Sequence, residues 1–139
     1  NGLWVMANKS LKAVDLATLP YPGIATDYKP FLVAMLAVSE GVGIVTENLF
    51  SGRFRYIDEL IRMGADIRTE GHHAVIRGVE NLSGAPVRAH DIRAGAALVV
   101  AALRAQGQTE IREPSHIDRG YENLVENLSD LGADISRED

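Results

Sequence analysis

The chain has 139 residues, 46% of them hydrophobic and 24% charged, which is the make-up of one globular domain and not of a disordered segment. A formal net charge of −5 excludes a bulk positive field for nucleic acid or an anionic membrane, so basic residues can act only locally. With no cysteine there is no disulfide framework, no thiolate nucleophile and no Cys-based zinc site.

Residues 3–7 and 12–16 offer short strands, joined to the rest by the Pro-rich "TLPYPGIATD". Residues 29–40 then predict a nearly all-apolar helix, stopped by Gly41 and followed by a β-branched strand over residues 44–47. A second helix is amphipathic, with Ile57, Leu60 and Ile61 on one face. The string "ADIRTEGHHAVIRG" alternates on both arms and predicts a hairpin turning at Gly71. A further apolar helix covers residues 91–105, and Gly107 separates it from a strand over residues 109–112. The last helix sets Tyr121, Leu124, Val125, Leu128 and Leu131 on one face, and "LGADI" leads into a closing strand. The longest apolar run, residues 94–103, is about half of the ~20 residues that a membrane span needs, and no secretory leader is visible. The expectation is a soluble, cytoplasmic piece.

This order repeats. "MGADI" recurs as "LGADI", and "SEGVGIVTE" parallels "AQGQTEIRE" with Gly41 and Gly107 66 residues apart. The pattern is an α/β (α+β in some schemes) architecture of β-α-β-α-β-β units, approximately residues 13–89 and 90–139. Both first helices are apolar all round and are expected to be buried on every side. Gly95, Ala96, Ala101 and Ala102 would permit close approach.

The charged residues obey the same shift. Asp27 maps onto Arg93 and Arg53 onto Arg119, with 26 residues between the members of each copy. All four fall at strand-to-helix junctions, where α/β layers bind ligands. The positive end of a helix dipole disfavours Arg93 by roughly 0.3–1 kcal/mol. Three arginines converging there would form a site incomplete until an anion fills it, and their planar forks suit phosphate or carboxylate. Asp27 could accept a proton or hydrogen bond from a ligand hydroxyl. Plainer readings stay open: Arg53 paired with Glu47 or Asp58, Arg119 with Asp118 or Glu122, Arg93 with Asp91, and Asp27 as a first-turn carboxylate. Lys29 and Arg55 read as peripheral. His72 and His73 at the hairpin tip face opposite ways and make a poor chelate, while His90 and His116 lie near the site edge. No metal, cofactor, P-loop or Gly-rich dinucleotide motif is expected.

The strings "ATDYKP", "FSGRF", "DIRA" and "HIDRGYE", in this order and spacing, resemble the C-terminal part of the UDP-N-acetylglucosamine 1-carboxyvinyltransferase family of enolpyruvyl transferases. The similarity runs from about residue 13 onward, and the sister family acting on shikimate phosphate resembles these strings less. The resemblance implies an inside-out barrel fold, units gathered three to a domain with buried helices enclosed by sheets, and two hinged domains. Residues 1–139 would be part of one domain. It also implies transfer of the enolpyruvyl group of phosphoenolpyruvate to the 3′-hydroxyl of UDP-N-acetylglucosamine through a tetrahedral intermediate, the first committed step of peptidoglycan precursor synthesis. Carried over by motif, Asp27 is the base at the attacking hydroxyl, Leu49 contacts the amino sugar, Arg93 and Arg119 clamp phosphoenolpyruvate, and Arg53 lines the same cleft. The family's general acid, its essential lysine and a further arginine lie outside this stretch, so the partner implied is the N-terminal part of the same enzyme, and the segment alone is expected to be inactive. The alternatives are a 3-phosphoshikimate-type transferase and a non-catalytic anion-binding module.

Overall fold

The computed structural model describes residues 1–50 and 54–138. A 3-10 turn, Thr26–Tyr28, leads into α1 (Lys29–Leu36), whose Pro30 sits in the first turn, where its missing N–H costs nothing. The helix ends early because the Ser39 hydroxyl bonds back to the Met35 carbonyl at 2.8 Å and Gly41 takes φ 103°. The chain then enters β2 (Val42–Thr46), which lies parallel to β1 (Leu16–Ala17), with Leu16 opposite Val45.

After α2 (Arg55–Arg62), β3 (Asp66–Glu70) and β4 (His73–Arg77) form the expected hairpin, with Gly71 at φ 57° in its turn. Because β4 also pairs antiparallel with β2, the sheet order is β1-β2-β4-β3. Farther along, β5 (Pro86–Arg88) lies parallel to β6 (Glu110–Arg112), so the β1–β2 relation recurs in a separate two-stranded sheet. Between them runs α3 (Ile92–Arg104), capped by Asp91, whose Oδ1 accepts the N–H groups of Arg93 and Ala94 at 2.9 Å each. Two short helices close the chain, α4 (Ser115–Asp118) and α5 (Leu124–Asp130).

Helices α1 and α3 pack side by side on the sheets, and Val33, Leu36, Leu60, Met63, Ile76, Leu82, Val87 and Leu98 form one continuous core. No helix among the described residues is long and apolar enough to cross a membrane.

Five expectations need correction. Residues 3–7 form no strand: Leu3, Trp4, Val5 and Met6 are 61–91% exposed, and an extended segment with no neighbouring strand has nothing to pair with. The strand expected at 12–16 shrinks to β1 plus a bridge from Lys12 to Glu40, and the chain after α5 has no strand among the described residues. The apolar helices are not buried all round, since Met35 on α1 and Val100 and Leu103 on α3 are exposed. Finally, Ile61 and Leu131 are exposed: the buried face of α2 centres between Tyr56 and Leu60, which leaves Ile61 past its edge. The α4 helix and strand β5 were not anticipated from periodicity, because each is shorter than one period test can resolve.

Gly95 lets α4 approach α3. A Cβ there would stand 2.6 Å from Ile117 Cγ1 and 3.0 Å from Ala89 Cβ. Gly95→Ala should therefore destabilise the fold by about 1 kcal/mol or more in urea unfolding, despite alanine's better helix propensity. A variant as stable as the parent would refute this packing account.

Candidate active site

Since α1 and α3 lie side by side, their N-terminal ends meet. Asp27, in the turn before α1, and Arg93, in the first turn of α3, are joined across 66 residues by a hydrogen-bonded ion pair, Arg93 Nη1 to Asp27 Oδ1 at 2.5 Å. Arg93 Nε is also 3.8 Å from Asp91 Oδ1, so the plainer pairing exists as a looser second contact. The cation at the positive helix end is thus compensated by two carboxylates. The Asp27 bond, opposed by partial burial and aided by the charges of Asp27 and Asp91, holds the Arg93 pKa above its ordinary value. Both side chains reach solvent, so the pair adds little stability and is open to a ligand.

Arg119 ends α4 and is exposed, with no ion-pair partner among the described residues. Its neighbour Gly120 lies against the Ile92 side chain, so the Arg119 backbone adjoins the same end of α3 that bears Arg93. Asp118 is engaged by Arg137 instead. Leu49 is half-buried in the bend after β2. Arg53 lies outside the described residues.

Lys29, read as peripheral, is fully buried. Its ammonium stands 3.6 Å from Glu47 Oε1 and 4.3 Å from the centroid of the Phe54 ring. Glu47 also accepts the Thr26 hydroxyl at 2.7 Å and the Thr18 hydroxyl, while Thr18 Oγ1 accepts the Asn48 N–H at 2.9 Å. The cluster ties Thr26, and with it Asp27, to β1 and β2. A signal for it was present: in β2 the odd positions 43 and 45 face inward, and the same alternation carries Glu47 into the core. Nearby, the buried Tyr56 hydroxyl has no hydrogen-bond partner among the described residues, and burial together with the charges of Glu47 and Asp91 raises its pKa.

Burial alone would raise the Glu47 carboxyl, but the Thr18 and Thr26 hydroxyls, the Lys29 ammonium and the Phe50 backbone N–H outweigh it, so its pKa is lowered. A carboxyl lowered on folding stabilises above its unfolded pKa, about 4.3, and loses that contribution as pH falls through the folded value. Glu47→Gln should therefore cost about 3 kcal/mol near pH 6, the scale of a broken buried pair, and the difference from the parent should shrink toward pH 3. Denaturation across that range measures it, and a gap constant with pH would contradict the assignment.

The sequence model of the EPSP synthase (3-phosphoshikimate 1-carboxyvinyltransferase) family matches residues 3–128. A UDP-N-acetylglucosamine 1-carboxyvinyltransferase of Corynebacterium efficiens is 56% identical over 137 residues, 99% of this chain and 32% of that protein. The Mycobacterium leprae protein of the same name is 56% identical over 126 residues, 91% of this chain and 30% of its own length. The chain thus spans about a third of the curated relatives it matches. Among solved structures, the enolpyruvyl transferase NikO from Streptomyces tendae superposes with a TM-score of 0.84 at 34% identity, covering 94% of this chain and 30% of NikO. An EPSP synthase from Acinetobacter baumannii, 24% identical with a TM-score of 0.61, shares the fold. With the family pattern running through nearly all of its length and the fold superposing closely, the chain belongs to the enolpyruvyl (carboxyvinyl) transferase family.

Proposed function

We propose that this chain forms one side of the active site of an enolpyruvyl transferase that moves the enolpyruvyl group of phosphoenolpyruvate to the 3′-hydroxyl of UDP-N-acetylglucosamine, in cytoplasmic peptidoglycan precursor synthesis. The observation that carries the reading is the Asp27–Arg93 pair, a carboxylate and a guanidinium held together on an open rim. Arg93 and Arg119 take the phosphate and carboxylate of phosphoenolpyruvate, Arg53 lines the same cleft, and Leu49 contacts the amino sugar. Asp27 accepts the proton of the attacking hydroxyl. The two roles are coupled in this arrangement. An anionic group arriving at Arg93 competes with Asp27 for the same guanidinium, so phosphoenolpyruvate binding frees the carboxylate to act as a base. Charge neutralisation of the multiply anionic tetrahedral intermediate supplies the transition-state stabilisation. The general acid and the opposing cations come from the remainder of the enzyme, and closure of that part over this rim expels water.

The choice of acceptor sugar follows the relatives at 56% identity, whose name specifies UDP-N-acetylglucosamine. Residues 1–139 are read as part of one domain, with repeat units at approximately 13–89 and 90–139.

Two outcomes test this. The 139-residue chain supplied with both substrates should give no turnover, and turnover would overturn the one-sided site. Calorimetric titration with phosphoenolpyruvate should show binding that the Arg93→Ala, Arg119→Ala pair weakens by about tenfold or more, each contact being of the charge-assisted class. Equal affinity in parent and variant would remove these arginines from the site.

A further inference from the structure

The junction that delivers Arg93 is short. Only residues 89–91 separate β5 from α3, and they must carry the chain out of a sheet, set the Asp91 cap and aim the next turn at Asp27. On one side β6 fixes this junction through the Ala89 N–H, which bonds to the Arg112 carbonyl at 3.0 Å. On another side stands an open cavity of about 380 Å³ bordered by Arg62, Arg88, His90 and Arg112, which offers no packing.

What holds the junction there is Glu59, on α2. Its side chain is 4% exposed, and a carboxylate so placed is costly unless its lone pairs are filled. Oε2 accepts the backbone N–H of Arg88 at 3.0 Å, Oε1 meets His90 Nε2 at 3.2 Å, and Arg62 Nη1 lies 3.1 Å from each oxygen. Arg62 supplies the countercharge. The other two contacts grip the last residue of β5 and the residue immediately before Asp91. An apolar side chain of similar volume could fill the space, but only an acceptor can engage that N–H and that ring.

We infer that Glu59 is a positioning residue for Arg93: through Arg88 and His90 it sets the strand-to-helix junction whose cap and first turn orient the guanidinium. The inference rests on the proposed role of Arg93 in binding the anionic substrate. Glu59 touches no reacting group, and its effect passes through Asp91 and the first turn of α3.

The test compares the 139-residue parent with Glu59→Gln, which keeps the shape but turns one acceptor oxygen into a donor, and with His90→Ala, a milder change at a partly exposed side chain that secures the test if the first variant does not fold. Amide exchange should accelerate locally, by about tenfold at Arg93 and Ala94 for Glu59→Gln, the order expected when a hydrogen bond to a charged group is lost, with Leu98 in mid-helix unchanged. Acceleration at Leu98 equal to that at Arg93, or none at either, would overturn the positioning role and leave Glu59 merely structural. In parallel, phosphoenolpyruvate titrations followed at the Ala94 and Gly95 amides should show weaker binding in Glu59→Gln than in the parent, and equal affinity in the two would also overturn it. If Arg93→Ala binds phosphoenolpyruvate as the parent does, the functional reading of Arg93 fails instead, and the exchange pattern alone decides whether Glu59 positions that turn.

Discussion

Everything at the rim depends on two apolar helices packing in the same direction. Helices α1 and α3 bury against each other and the sheets, and this brings two positive helix ends into contact. Asp27, just ahead of one, and Asp91, capping the other, supply negative charge where both dipoles call for it. Arg93 is then tolerated because Asp27 arrives from the neighbouring helix with its carboxylate. The cation is out of place within its own helix and in place within the pair of helices.

Below this rim lie two buried carboxylates that serve parallel ends. Glu47 leaves β2 and fastens Thr26, one residue before Asp27, while Glu59 leaves α2 and fastens Arg88 and His90 just ahead of Asp91 and Arg93. Each is hydrogen-bonded on both oxygens and balanced by a cation, Lys29 for one and Arg62 for the other. The roles proposed for Asp27 and Arg93 would need such support, because loosening by about 1 Å is enough to misplace a reacting atom.

A compensated pair also gives a different chemistry from a bare cluster of cations. On the proposed function, the rim is neutralised in advance, so a substrate anion would exchange with Asp27 and not enter an empty positive well, and that exchange would link recognition of one substrate to activation toward the other.

The apolar helices, the hairpin at Gly71 and the matched positions of Asp27 and Arg93 were legible in the sequence, because each is a local periodicity or a fixed spacing along the chain. The inside burial of Glu47 was within reach of the same reasoning, since strand alternation points it inward. Lys29 reads as peripheral because a cation is costly to bury alone, and only the arrival of Glu47 and Phe54 from other elements offsets that cost. The lone strand at residues 3–7 failed for the converse reason: alternation describes a strand but cannot supply its neighbour. Which carboxylate answers Arg93, and which holds its junction, are questions of distance between residues far apart in the chain. Composition, period and spacing carry no information on such distances, so packing alone decided them.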